Sequence, residues 1–234
     1  RPKATVLDTK GNLWIAKFPS KHDDVNVGAW EKVTHDLARL CGLDVPESML
    51  IDFSKYGSTF LVRRFDRNGA ARIHFASAMT MLGKTDGASA ADGSSYLELV
   101  SFIKANGAAP KRDLMELWKR IVFNMAVSNT DDHMRNHGFI LKADGWHLSP
   151  VYDVNPVPEG DELSLCVNED DATISLELAL EIAPYCEINT KDAAAMAADI
   201  LKTVRENWSN LASKCGLSRN AQDYMRPAFS LALE

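Results

Sequence analysis

The sequence is short of several things, and each shortage narrows what it can do. It has no excess of positive charge: 26 basic residues face 32 acidic ones for a net charge of −6, whereas a surface that tracks a phosphate backbone needs the opposite balance. Nucleic acid is not expected as the direct substrate. No apolar run approaches the roughly 20 residues that cross a bilayer. The opening Arg1-Pro2-Lys3-Ala4-Thr5 also lacks the apolar core of a signal peptide. A soluble, cytoplasmic protein without membrane contact is the expectation. Cysteine is sparse: Cys41, Cys166, Cys186 and Cys215 stand far apart, forming neither a C-x-x-C pair nor a small-domain disulfide framework, so reduced, mostly buried thiols are expected. Internal repeats and low-complexity tracts are absent. The chain opens in mid-pattern without a methionine, and a further segment upstream is expected.

What is present is an ordinary globular mixture, 46% hydrophobic and 25% charged over 234 residues, enough for one large domain or two packed lobes. The first part, residues 1–76, reads as strands and turns around one helix. Thr5 to Leu7 and Trp14 to Phe18 flank a turn-rich loop at residues 8–12. Trp30, Val33, Leu37 and Ala38 fall at helical spacing between Ala29 and Cys41 and stop at Gly42, a left-handed cap. Extended runs at Met49 to Phe53, Thr59 to Phe65 and Arg72 to Phe75 complete a small antiparallel sheet.

Residues 77–234 read as a helical lobe. A Gly/Ala/Ser/Asp-rich loop from Gly83 to Ser94 leads into the apolar series Tyr96, Leu99, Val100 and Ile103. Next, Leu114, Leu117, Trp118, Ile121, Val122, Met125 and Ala126 form one continuous helical stripe. Gly138 to Lys142 and Trp146 to Ser149 bracket Ala143-Asp144-Gly145 as a hairpin. Asn189 or Thr190 caps a last long helix that runs to Gly216. The fold class is therefore α+β, a β-rich N-terminal lobe and a helical C-terminal lobe, with a ligand expected in the cleft between them.

Between stripe and hairpin lies Ser128-Asn129-Thr130-Asp131-Asp132-His133-Met134-Arg135-Asn136-His137. Its D-x-x-x-x-N spacing, Asp131 to Asn136, is that of a protein-kinase catalytic loop, where the carboxylate takes a hydroxyl proton and the amide oxygen reaches magnesium. Leu148-Ser149-Pro150-Val151-Tyr152-Asp153 then ends in a carboxylate just past a strand, where a second magnesium ligand can face that loop. In the first lobe Ile15-Ala16-Lys17-Phe18 sets a lysine in an apolar strand. A buried ammonium requires a counter-charge, and Glu31, on that lobe's only helix, is the candidate.

Taken in order, these segments resemble the kinase core of HipA-type toxin serine/threonine kinases of bacterial toxin–antitoxin modules. Arg1-Pro2-Lys3-Ala4 is similar to the end of that family's phosphate loop, and Ile15-Ala16-Lys17-Phe18-Pro19 to its lysine strand. Leu37-Ala38-Arg39 to Leu43-Asp44-Val45-Pro46 resembles the end of its glutamate helix, and Val62-Arg63-Arg64-Phe65-Asp66-Arg67 the segment between lobes. The resemblance implies a bilobal kinase-like fold using ATP and Mg²⁺. It implies Asp131 as catalytic base with His133 supporting the loop, Asn136 and Asp153 as metal ligands, and Lys17 as phosphate clamp with Glu31 as its partner. Lys3, Tyr152 and the backbone of Arg63 and Phe65 would complete the nucleotide site. It further implies a protein substrate, a translation component such as an aminoacyl-tRNA synthetase, and an antitoxin of the HipB type. Asp132 and Arg63 depart from the family pattern, so their side chains carry no role over.

Plainer readings stand beside these. His133 and His137 are spaced like a zinc pair, but Gly138 ends any helix there, and His137 is expected as a surface or hinge residue. Trp118, Tyr152 and the Met125 stripe read as core packing, and the Glu159–Glu162 and Glu169–Asp171 charges as solvated loops. A catalytically impaired module that binds nucleotide or antitoxin, and a metal-dependent phosphohydrolase using Asp131, His133 and Asp153, are the alternative functions.

Overall fold

The structure is a computed structural model that describes residues 1–69 and 71–234. Strands β1 (Lys3–Leu7), β2 (Leu13–Lys17), β3 (Ser48–Ser54) and β4 (Gly57–Arg63) form an antiparallel sheet in the order β1-β2-β4-β3. Lys3 pairs with Lys17 and Lys17 with Phe60, which carries the lysine to the sheet's inner end. The connection between β1 and β2 is an Asp8-centred turn: that carboxylate accepts the Lys10 and Asn12 backbone N–H groups.

Helix α1 (Val27–Leu40) crosses the sheet. Asn26 caps it by accepting the Ala29 N–H, so it starts two residues before the spacing suggested, and Gly42 ends the turn beyond it at φ +72°. A Cβ at Gly28 would lie 2.2 Å from the Ser58 carbonyl oxygen. Only glycine lets α1 approach β4 this closely.

The run Arg72 to Phe75, expected in the first sheet, divides. Arg67–Asn68 (β5) and Ala71–Arg72 (β6) make a short ladder, while β7 (His74–Ser77) leaves to pair with β8 (Gly138–Lys142). With β9 (Gly145–Leu148) this makes a second sheet, β7-β8-β9. The expected hairpin is there; the strand that widens it comes from the run expected in the first sheet, because an apolar-polar alternation fixes a face and not a partner.

The remainder is helical: α2 (Ala78–Met81), α3 (Tyr96–Asn106), α4 (Pro110–Ala126), α5 (Leu176–Ile182), α6 (Thr190–Lys214), α7 (Arg219–Met225) and α8 (Ser230–Leu233). Ser95 and Glu98 form a capping box on α3, and Asn189 caps α6. The α4 stripe is the centre of the core: Leu114, Leu117, Trp118, Ile121, Val122 and Met125 are wholly buried. Ala29, Trp30, Val33 and Leu37 of α1 belong to this same core, whereas the first sheet keeps only a small cluster of Trp14, Ala16 and Leu61. Trp30 packs on Phe229, which stacks on Trp208 at 4.7 Å between ring centroids. All four cysteines are free, two buried and two half-buried, and no helix among the described residues is long and apolar enough to cross a membrane.

Candidate active site

Between the first sheet and the helical lobe lies a cleft of about 520 Å³, within the range of small-ligand sites. One wall is apolar, with Ile15, Val62 and Phe65 among its residues, and the rings of Phe65, Phe75 and Tyr152 pack within 6.0 Å of one another at its edge. The opposite end is charged. Lys17 Nζ donates to Glu31 Oε1 and, at 2.7 Å, to Asp153 Oδ1. Lys3 Nζ reaches Asp153 Oδ2 at 3.4 Å, and Arg1 Nη1 lies 3.7 Å from Glu31 Oε2.

Each of these groups is aimed by its element. Lys17 faces inward because β2 alternates and its neighbours Trp14 and Ala16 fill the sheet's own core. Glu31 is on the buried face of α1, and Thr34, one turn on, donates to the Val154 carbonyl at 2.7 Å, tying the helix to the segment that carries Asp153. Asp153 itself has φ +58°, a left-handed conformation that aspartate tolerates better than most residues. That kink swings its carboxylate back toward Lys17.

Burial works against the Lys17 ammonium, but Glu31 and Asp153 more than offset it and hold its pKa above the ordinary lysine value. Burial also pushes Glu31 up, against the pull of Lys17, while for Asp153 the attraction of Lys17 and Lys3 outweighs burial and holds the carboxyl down. Because Asp153 has a depressed folded-state pKa, its contribution to stability is present above the unfolded carboxylate value and is lost as pH falls through the folded one. Lys17→Met should reverse this sign. Two facing carboxylates with no ammonium between them are both pushed up, Glu31 further than in the wild type, so the variant is expected to gain more stability than the wild type as the pH is lowered from 7 toward 5; denaturant midpoints across that range check it.

The loop after α4 supplies the rest. Asn136 lines the cleft, and its Nδ2 donates to the Asp131 carbonyl at 2.8 Å, which leaves Oδ1 as a free oxygen ligand. Asp131 itself turns outward: its side chain is 82% exposed, lies 3.9 Å from His133 Nε2 and does not line the cleft. The cleft brings together Lys3, Lys17, Glu31, Asn136 and Asp153, with Arg63, Phe65, His133 and Tyr152 on the walls, and does not bring in Asp131, which stands at the rim. Tyr152, read also as core packing, borders the cleft and donates its hydroxyl to the Arg135 carbonyl. Phe65 N–H meets no acceptor among the described residues, whereas Arg63 N–H is taken by Glu47.

His137 is a correction. It is 2% exposed, neither surface nor hinge, and its Nε2 bonds to Asp132 Oδ2 at 2.7 Å. The same oxygen accepts the Tyr96 hydroxyl and the Asn124 amide, each at 2.6 Å. Sequence reasoning missed this network, although Asn124 gave a signal: seven residues past Leu117, it falls in phase with the apolar stripe, and a polar group there needs a partner. Among the described residues, no group of three His, Cys, Asp or Glu side chains could hold a metal ion, so the His133/His137 spacing makes no zinc site. His35, also missed, closes the back of the cleft beneath Phe60; burial first, then Arg39 and Lys32, hold its pKa down at about 3.

Comparison with known proteins places the chain in a family and a fold. Residues 1–208 match the pattern of the HipA-like C-terminal domain. The serine/threonine-protein kinase toxin HipA of Shewanella oneidensis is 27% identical over 186 residues, covering 70% of this chain and 41% of its own. The provisionally named kinase Y4dM of Sinorhizobium fredii is 25% identical over 218 residues, covering 85% and 52%. The chain therefore spans about half the length, or less, of the curated relatives it matches. Among solved structures, HipA of the Shewanella oneidensis HipA, HipB and operator DNA complex superposes with TM-score 0.75 at 18% identity, over 99% of this chain and 62% of that one. The Helicobacter pylori proinflammatory kinase CtkA does so with TM-score 0.59 at 14% identity, over 99% and 94%. The fold is that of a bilobal kinase, and the chain belongs to the HipA-like C-terminal domain family.

Proposed function

We propose that this chain is the catalytic core of a Mg-ATP-dependent serine/threonine protein kinase. The observation that carries the reading is the junction of Lys17, Glu31 and Asp153 beside Asn136, drawn from four separate segments to one end of a cleft whose other wall is apolar. The residues suit the ligands. Asp153 and the Asn136 Oδ1 are a hard all-oxygen pair for Mg²⁺, which keeps several waters and needs few protein carboxylates. Lys3 and Lys17 offer cations to phosphates, and the Ile15, Val62 and Phe65 surface suits a purine, with Phe65 N–H free to donate.

Bound Mg-ATP supplies the transferable phosphoryl group and the metal charge that stabilises it. Lys17, anchored by Glu31, holds phosphate oxygens, and Asp153 with Asn136 holds the ion. Asp131, exposed at the rim, accepts the hydrogen bond of an incoming hydroxyl. As the hydroxyl oxygen bonds to phosphorus and the bond to ADP breaks, its proton passes to Asp131. Positioning and charge neutralisation do most of the work in this chemistry. Asp131→Asn is expected to lower transfer from radiolabelled ATP to a protein acceptor by about 10²–10⁴-fold, with Mg-ATP affinity and melting temperature unchanged; transfer at the wild-type rate would refute the role.

Family likeness extends the proposal to a toxin–antitoxin module in the cytoplasm, with a HipB-type antitoxin partner and a translation component, such as an aminoacyl-tRNA synthetase, as target. ATP binding without transfer to any acceptor would instead favour the impaired binding module. The phosphohydrolase reading needs Asp131, His133 and Asp153 around one metal, and the outward turn of Asp131 gives it no ligand set.

A further inference from the structure

On the far side of the catalytic loop from the cleft is a second hollow, of about 180 Å³. His133 and Arg135 line both, so the two are separated by the width of one loop, with the Asp131 carboxylate exposed at that loop's outer edge. The hollow's floor is apolar: Met79 and Met134, whose backbones are joined by an N–H···O bond of 3.1 Å, and the buried Ala88. Hydroxyls of Thr85, Ser89 and Ser164 are spaced around it. Its one ion pair, Arg135 with Asp86, is already neutral. The walls are held in place, since Ser164 Oγ donates to the Thr130 carbonyl and the Ala90 N–H to the Ser164 carbonyl, both at 2.7 Å.

We propose that this hollow is the subsite for the residue next to the phosphorylated serine or threonine, and that it takes an uncharged apolar side chain of roughly leucine size. The inference rests on the kinase reading and names the substrate's local chemistry. An acceptor hydroxyl must approach Asp131 from solvent, and a neighbouring side chain on that segment meets this hollow. An apolar floor with a self-compensated ion pair penalises a charged occupant, which would lose its hydration without gaining a partner. The exposed Thr85 hydroxyl at the rim is within reach of the segment's backbone groups.

Eight methionines are present, and none lines the nucleotide cleft among the described residues, so methyl-labelled methionine reports this hollow separately. Serine peptides carrying Leu, Lys or Asp beside the serine are titrated into the labelled chain, with Met79 and Met134 assigned by leucine replacement. The Leu peptide is expected to shift both signals saturably and to be phosphorylated with the lowest KM. Thr85→Trp, at the exposed rim, should weaken peptide binding tenfold or more while Mg-ATP affinity stays within twofold. A silent Met79 and Met134 with every Leu peptide, or a preference for the Lys or Asp peptide, overturns the subsite. Failure of Mg-ATP to bind, with the methionine response intact, would break the kinase reading and leave the peptide site standing.

Discussion

Replacing Asp153 by asparagine is expected to reduce phosphate transfer by about 10³-fold or more, equivalent to roughly 4 kcal/mol of transition-state stabilisation. Calorimetry should show most of the loss already in Mg-ATP binding. The choice of replacement matters. At φ +58° an alanine would add strain of its own, about 1 kcal/mol, and so mix a folding effect with a chemical one. Asparagine accepts that conformation and keeps the side chain's shape, and glycine removes the side chain without strain. If both variants melt like the wild type and neither binds Mg-ATP, the carboxylate's role is chemical. Unchanged affinity in both would remove Asp153 from the metal site and with it the main support for the proposed function.

The second large effect is on stability. Asp132→Ala leaves the Tyr96 hydroxyl, the Asn124 amide and the His137 ring without their common acceptor, in a region where Tyr96 is wholly buried. Burial, then the adjacent Asp132 charge, holds the Tyr96 hydroxyl well above the ordinary phenol value, so it donates at every pH the fold survives. Breaking a buried charged network by removing one partner costs about 3–5 kcal/mol. For a chain of this size that is a fall in melting temperature of about 10 °C or more. Tyr96→Phe alone should cost about 1–2 kcal/mol and almost nothing further in the Asp132→Ala background, a coupling that a double-mutant cycle measures. Additive losses would mean that the Tyr96 hydroxyl does not depend on that acceptor.

These two aspartates show where reading the sequence works and where it stops. Lys17 and Glu31 were legible because an isolated lysine in an apolar strand must be paired and only one helix was near enough to pair it. The α4 stripe and the 138–148 hairpin were legible because local periodicity and turn chemistry decide them. Asp131 and Asp132 are chemically identical neighbours, and which one turns inward depends on Tyr96 and Asn124, brought there by α3 and α4. Nothing within the loop records that. The partner of β7 was hidden for the same reason, since strand pairing is a property of the assembled lobe. The burial of His137 is likewise not local: Tyr96 and Asp132, which lie 41 and 5 positions earlier in the chain, cover its ring.

One face of the helix that bears Glu31 is buried in the core of the larger lobe. Parting Glu31 from Lys17 by tilting α1 outward would strip Trp30 from Phe229, expose Val33 and Leu37 to water and break the Thr34 bond to the Val154 carbonyl. At about 25 cal/mol per Å² of apolar surface, that is several kcal/mol, too much for a binding event to spend lightly. An on–off switch that works by rocking this helix would have to offset that loss of burial.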